Sequence, residues 1–172
     1  LHDALPISPA IWAFTGNSTT KLSTTPIDHI LSDLTDAEVE NIFAWAYAEA
    51  GSFFVGFQLP DTCLVYDFVS NKWHERLSYT EEYGVISYRV GGSCQAYGRI
   101  LVGDTLDGRI GEIARNSYTE YGENIRRSLI TRYLDNKGNR LCMPVIEVIM
   151  KSGLGNTSSE NPMIRLFWSD DG

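Results

Sequence analysis

The residues with the clearest capacity for chemistry are His74 and Glu75, which are adjacent in the run WHER and could form an acid–base pair. Such a pair must reach the same reacting atoms. Neighbours on a β-strand point to opposite faces, and this run lies in a region of strand-like alternation. We therefore expect Trp73 to pack in a core while His74 and Arg76 face the other way.

The other acidic and metal-binding residue types are scattered along the chain. Glu81-Glu82 and Asp170-Asp171 are adjacent carboxylates in predicted loops, whereas a glycosidase needs two carboxylates at a set separation across one bond. The three histidines and three cysteines (Cys63, Cys94 and Cys142) have no metal-ligand or disulfide spacing, and the thiols are expected to be buried or half-buried. We predict no catalytic residue, no metal and no cofactor.

Composition and charge narrow the function classes. The chain has 172 residues, 43% hydrophobic and 21% charged, with a net charge of −8, which suits one globular domain. An acidic surface argues against gripping phosphates, although DNA could slide past it. No apolar run approaches the ~20 residues of a membrane span.

One small basic cluster stands out against this acidic background. Arg126-Arg127, with Arg132 near Tyr133, could contact nucleic acid or an acidic partner subunit, or could be a solvated strand face.

The elements that position these residues are predicted from a two-residue period between Phe53 and Leu77. Bulky residues alternate with smaller or polar ones in three runs separated by turn residues, which is typical of an antiparallel meander. The three alternating sets are Phe53, Val55, Phe57 and Leu59; Leu64, Tyr66 and Phe68; and Trp73, Glu75 and Leu77.

Two patterns overlap just before this meander. Thr35 to Glu38 is a capping-box sequence that begins a helix, which could continue as far as Ala50. Residues 43–50 also alternate aromatic residues with alanine, which indicates a strand.

Further strands are predicted at roughly ten-residue spacing. Asp107-Gly108 marks a hairpin, and residues 78–84 and 115–124 are expected to be polar connections. The predicted strands cover residues 85–90 (ended by Gly91-Gly92), 94–97, 100–104, 109–114, 128–134, 141–151 and 163–168.

Three segments carry a resemblance to a known family. Tyr66-Asp67-Phe68 followed by Trp73 to Arg76 resembles the VYD…WHER signature of the packaged-DNA stabilisation proteins of short-tailed bacteriophages, which are tail hub or nozzle proteins. Residues 23–29 and 102–110 resemble two further segments of that family. The motif residues are Tyr66, Asp67, Trp73, His74, Glu75, Arg76, Gly103, Asp104, Asp107 and Gly108.

The resemblance implies an all-β fold, in which antiparallel meander blades form a partial β-propeller. It favours a short helix over 36–41, then a strand over 43–49 that pairs with 53–59. One blade is expected over 43–77 and a second from about 86, within an incomplete propeller domain spanning 9–172. Residues 1–8 resemble a translated sequencing adapter and are expected to be foreign to the protein.

The function that the resemblance implies is structural rather than enzymatic. It implies a virion tail component that retains packaged DNA and forms part of the exit channel, assembled in the host cytoplasm as a homo-oligomeric, hexameric ring. Its expected partners are the phage adaptor and the tail needle or fibre, with DNA passing through unbound. The alternatives are a sialidase-like or other glycan-active propeller enzyme, for which Ser169-x-Asp171 offers half an Asp-box, and a carbohydrate-binding module.

Overall fold

The computed structural model describes residues 9–131, 137, 142–149 and 164–169. The chain divides into two units, residues 1–125 and 126–172. The first unit opens with a small hairpin, β1 (Trp12–Phe14) paired with β2 (Thr19–Lys21). Two helices follow, α1 (Thr25–Ser32) and α2 (Asp36–Glu40).

Local sequence explains where both helices begin. Pro26 lies in the first turn of α1, where its missing N–H costs nothing, and Ile27 and Leu31 then fall on one buried face. In α2 the capping box forms as predicted: the Glu38 carboxylate accepts from the Thr35 N–H at 2.8 Å, and the Thr35 hydroxyl accepts from the Glu38 N–H. The short helix, not the longer alternative, is therefore confirmed.

A five-stranded antiparallel sheet follows α2 in a plain meander. Its strands lie side by side in chain order, and β3 pairs with β4 along its whole length, as predicted. The left-handed Ala50-Gly51 turn, with φ of 50° and 84°, closes this first hairpin. The strands are β3 (Phe43–Glu49), β4 (Ser52–Gln58), β5 (Cys63–Asp67), β6 (Lys72–Thr80) and β7 (Gly84–Ser87).

A second, three-stranded sheet has the order β10-β9-β8 and is also antiparallel. Its strands are β8 (Val90–Ala96), β9 (Arg99–Asp104) and β10 (Ile110–Ile113). The hairpin predicted at Asp107-Gly108 joins β9 to β10. A two-residue ladder, β11 (Thr119–Glu120) with β12 (Glu123–Asn124), completes the first unit.

The centre of the five-stranded sheet is covered on both faces. One face shares a core with β8 and β9, in which Trp45 and Val65 pack with Val90 and Val102. The other face packs against the N-terminal hairpin and α1 through the residues Ile27, Leu31, Leu59, Leu64, Phe57 and Trp73. The alternation predicted for residues 53–77 is therefore confirmed, with an apolar core on each side of the sheet.

Three boundary predictions were wrong. Residues 78–80 belong to β6 rather than to a loop, because the buried polar side chains of Ser78 and Thr80 continue its inward face. Gly91-Gly92 does not end a strand but forms an irregularity within β8, and the chain breaks instead at Tyr88-Arg89. The connection 115–124 contains the β11–β12 hairpin.

In the second unit, the described residues form no helix or strand. The strands predicted over 128–134, 141–151 and 163–168 are therefore not present in their described parts, 128–131, 142–149 and 164–168. Alternation makes a strand only where a partner completes the ladder, and here Leu129 and Ile130 stand about nine-tenths exposed. The remaining residues of those predictions, Arg132 and Tyr133 included, lie outside the described residues, as do 1–8 and 170–172.

Two expectations about single features can also be checked. Among the described residues, no helix has the length and apolarity needed to cross a membrane. Cys63 is buried, as expected of a structural thiol, and burial raises its pKa to about 11. Cys94 and Cys142 are exposed, so the expectation of buried or half-buried thiols was wrong for them.

We expect the stability of the five-stranded sheet to depend on a glycine. A Cβ placed on Gly56 of β4 would overlap the Trp45 indole on β3, so either the ring or the backbone must move. Gly56→Ala should therefore lower the free energy of unfolding by about 1–3 kcal/mol, as overpacking does. Gly103→Ala is the matched control and should change stability by less than about 0.5 kcal/mol, because a Cβ at that strand position would meet no atom within 4 Å. Equal losses in chemical denaturation would contradict this account.

Candidate functional site

Trp73 of the WHER run anchors the five-stranded sheet to the N-terminal segment. Its indole N–H donates to the Leu22 carbonyl at 2.8 Å. Its ring packs on Tyr66 of β5 and Phe57 of β4, with centroid distances of 5.0 and 5.8 Å. Aromatic pairs at these distances stabilise beyond simple burial, so this residue joins three strands and the preceding hairpin.

The preceding Tyr66-Asp67 pair builds the turn between β5 and β6. The Asp67 carboxylate accepts from the Val69 N–H at 2.9 Å and from the Ser70 hydroxyl at 2.7 Å, which makes an Asx turn. The hydrogen bond from Ser70, followed by that from Val69, lowers the pKa of Asp67. The Tyr66 hydroxyl donates to Asn71, which has the left-handed φ of 54° that such a turn requires.

His74 and Glu75 lie on opposite faces of β6, as the strand argument predicted. Glu75 accepts from the Thr62 hydroxyl at 2.5 Å on the α1 side. His74 lies on the other side, edge-on to Phe54, and accepts from Arg76 at 3.2 Å. Burial, reinforced by the charge of Arg76, lowers the pKa of His74. The two side chains therefore do not form an acid–base pair.

Arg76 is half-buried and surrounded by aromatic rings. Its guanidinium carbon lies 6.0 Å from the ring centre of Trp45, 5.4 Å from Tyr47, 5.9 Å from Phe54 and 5.7 Å from Tyr88. It also donates to the Tyr47 hydroxyl at 2.5 Å. A cation over several ring faces is stabilised by their quadrupoles, so this aromatic cage holds the charge with no carboxylate partner among the described residues.

The environment keeps the cage in one charge state. Burial raises the pKa of Tyr88 to about 12 and also raises that of Tyr47. Burial alone would lower the pKa of Arg76, but its interactions with Tyr47 and Tyr88 outweigh burial and raise it. The cage is therefore a cation among neutral rings throughout the neutral range.

The second motif, Val102-Gly103-Asp104, ends in a buried ion pair. The carboxylate of Asp104 accepts two hydrogen bonds from the guanidinium of Arg89 in a forked arrangement, one from Nε at 2.9 Å and one from Nη2. It also accepts a hydrogen bond from the Leu106 N–H at 3.0 Å. The Arg89 side chain is only 5% exposed and that of Asp104 is fully buried. A buried charge is tolerated only with such complete pairing. This contact therefore holds the segment between the two sheets, which contains Arg89, against the end of β9, where Asp104 lies.

The turn that follows places the remaining motif residues. Asp107 accepts from the Arg109 N–H at 3.2 Å and pairs with its guanidinium at 2.5 Å. Gly108 has a φ of 70°, the left-handed value for which glycine is favoured. Gly103, by contrast, has open space where its Cβ would lie, so nothing in the described structure requires glycine there.

Residues outside the ten motif positions complete this polar cluster. The Tyr121 ring lies between the guanidinium groups of Arg89 and Arg109, each 4.6 Å from its centre. Ser78 accepts from the Arg89 N–H and donates to Glu120, while burial raises the pKa of Glu120. The only signal in the sequence was a charged residue, Arg89, within the alternating run 85–90.

The two motifs are therefore used for packing rather than brought to one cleft. Each of the ten motif residues except Gly103 has a structural contact or turn role inside the first unit. Within the ranges that the structure describes, no group of three or more His, Cys, Asp or Glu side chains is placed to hold a metal ion. The basic residues Arg126 and Arg127 lie in the second unit, exposed and outside any strand.

The two antiparallel meanders, held together by buried and caged arginines, define an all-β protein whose polar residues serve packing. A family model described as Phage_stabilise, bacteriophage P22 Gp10, beta-propeller, matches residues 6–118. The chain belongs to this family, which confirms both the resemblance drawn from the motifs and the all-β propeller fold class, and makes it a phage structural component. No curated protein matches the chain.

We expect the buried pair to dominate the stability of the second sheet. Asp104→Asn removes the forked partner of the buried Arg89 charge and leaves only the longer contact with Asp107 at 3.9 Å, so it should lower the free energy of unfolding by about 3 kcal/mol. Glu112→Gln is the matched control, because its pair with Arg99 at 3.6 Å is largely solvent-exposed and exposed pairs contribute about 0–1 kcal/mol. Similar losses for the two variants in urea denaturation would refute the importance of burial.

Because of the same carboxylate, the free energy of unfolding should depend on pH in the acid range. Burial acts to raise the pKa of Asp104, but the hydrogen bonds from Arg89 and Leu106 outweigh it and lower the pKa to about 2 from an ordinary 3.8. Because the folded-state pKa is lowered, the stabilisation is complete above about pH 4 and is lost as pH falls towards 2.

The test compares free energies of unfolding of the wild type and Asp104→Asn between about pH 6 and pH 2, the range that spans both pKa values of the carboxyl group. Their difference should be constant above the unfolded-state pKa and shrink below it, since protonation leaves Asp104 uncharged, as asparagine is in the variant. If the difference in free energy of unfolding stays constant down to about pH 2, the Asp104 charge is not the source of the stabilisation.

Proposed function

We propose that this chain is part of the tail hub or nozzle of a short-tailed phage particle, where it retains DNA after packaging and contributes to the exit channel. Its complete form assembles as a ring of identical subunits, expected to be hexameric, that contacts an adaptor protein above and a needle or fibre below. Membership of the P22 Gp10 propeller family is the observation that carries this proposal.

The geometry supports a mechanical rather than a chemical role. The most polar residues near both motifs hold strands together: Arg76 in its aromatic cage, and Arg89 against Asp104. A sheet with both faces packed resists deformation, because close-packed interiors have low compressibility. Such a unit suits a ring that withstands pressure from packaged DNA.

The charge of the chain supports passage of DNA without specific binding. The net charge is −8, and DNA-gripping surfaces depend on Lys and Arg contacts to phosphates. An acidic surface repels the duplex at short range and is screened beyond roughly 10 Å at ordinary ionic strength. We therefore infer that this chain forms a wall past which DNA moves.

The test is a phage in which the gene is disrupted and supplied in trans. Particles assembled without the protein should package DNA and then lose it, so that purified heads contain far less DNA than wild-type heads. Supplying the wild type or Glu112→Gln should restore DNA content, and the destabilised Asp104→Asn should not.

Two results would overturn the proposal. Heads that remain full without the protein would exclude a role in retention. A block before any DNA enters the head would move the function to packaging itself. Hydrolysis of glycans by the purified chain, tested on sialylated and neutral substrates, would instead favour the propeller-enzyme alternative.

A further inference from the structure

A groove on the first unit combines an apolar floor with an acidic rim. It lies where the end of α1 and the start of α2 meet the β4–β5 turn, and it encloses about 280 Å³. Its floor is formed by apolar side chains of the helix and the turn, and its rim by carboxylates. The floor residues are Ile30, Leu34, Leu59 and Pro60, and the rim residues are Asp33, Glu38 and Asp61.

The rim carboxylates differ in how much of their bonding capacity the fold uses. Glu38 is engaged by the capping box of α2, through the N–H and hydroxyl of Thr35. Asp33 and Asp61 are exposed, and neither carboxylate takes part in a hydrogen bond or ion pair within the described part of the chain. Two unpaired negative charges therefore flank an apolar pit, a combination suited to an apolar side chain with cations beside it.

The chain itself carries a segment with the complementary chemistry. Residues 126–130 read Arg-Arg-Ser-Leu-Ile, with two cations followed by two large aliphatic residues. Leu129 and Ile130 are 91% and 92% exposed, and adjacent exposed apolar side chains bordered by polar residues are the kind of surface that partners cover. Among the described residues, it is the only stretch in which adjacent cations are followed so closely by exposed apolar residues.

We propose that the groove is a docking site for residues 126–130 of a second copy of this chain, with an aliphatic side chain in the pit and the arginines against Asp33 and Asp61. The two surfaces differ, so the contact is head-to-tail, and repetition of such a contact closes a ring when its rotation permits. This inference rests on the proposed ring assembly and names one of its contacts.

The test exchanges the charges of the two surfaces in the full-length chain. The groove variant Asp33→Arg/Asp61→Arg and the segment variant Arg126→Glu/Arg127→Glu should each weaken self-association by at least about tenfold in apparent Kd, measured by sedimentation velocity over a range of concentrations. Glu81→Arg, which reverses an exposed acid in the β6–β7 turn, is the matched control and should associate like the wild type. Unchanged thermal unfolding of all variants verifies that they are folded.

Mixing the two double variants identifies the occupant. In an equimolar mixture, each basic segment meets an acidic groove and each acidic segment meets a basic groove, so mixed assemblies should form at wild-type concentrations although neither variant associates alone. Raising the salt concentration should weaken the wild type and the mixture alike.

Three results would overturn the proposal: a wild type that stays monomeric at all concentrations, a groove variant that associates normally, or double variants that fail to associate on mixing. The last result would assign the groove to a different basic partner. Loss of DNA from particles lacking the chain is measured independently, so the proposed function can hold while this contact fails.

Discussion

The structure depends on one constraint: the five-stranded sheet is buried on both faces at its centre. Its central strand β5 includes Cys63 and Val65, both with no exposed surface, and Leu64 and Tyr66 are nearly as buried on the opposite face. A strand that is dry on both faces cannot slip by one residue without exchanging two cores. The register of the meander, and with it the placement of every motif residue, follows from this double burial.

Two arginines beside these cores each hold a positive charge away from full contact with water, and different partners stabilise the two charges. Arg89 is neutralised by a forked contact with Asp104, which adds direction as well as charge. Arg76 has aromatic faces and a tyrosine hydroxyl instead. The first arrangement titrates when its acid is protonated, whereas ring faces have no proton to gain. Acid should therefore weaken the Arg89–Asp104 contact and leave the contacts of Arg76 with the aromatic rings unchanged.

Much of this fold could be predicted because local and tertiary signals agree. The capping box at Thr35 and Glu38, the two-residue period from Phe53 and the Asp107-Gly108 turn each act over a few residues, and each appears where expected. Opposite orientation of His74 and Glu75 followed from strand geometry alone. The choice between helix and strand for 43–50 was harder, because propensity favoured the helix and only the family resemblance favoured the strand. The structure gives the physical reason, since Trp45 and Tyr47 pack in the core.

What could not be predicted depends on partners distant in sequence. Ser78 extends β6 because Arg89 and Glu120 satisfy its hydroxyl, and nothing near Ser78 in the sequence shows that. The contact of Tyr121 with the guanidinium groups of Arg89 and Arg109 is equally invisible, because many residues separate the three along the chain. The division of the first unit into one blade over 43–77 and a second from about 86 remains a prediction, as do the foreign origin of residues 1–8 and the functional importance of the motif residues.

The two close contacts between a glycine and an aromatic ring couple positions that lie about ten residues apart along the chain. The Trp45 indole occupies the space above Gly56, and the Tyr121 phenol occupies the space above Gly111. A side chain at either glycine position would overlap the facing ring, and a smaller residue in place of the ring would relieve that overlap. Engineering this protein one site at a time would therefore miss compatible combinations, and libraries that vary each glycine jointly with its ring would reach them.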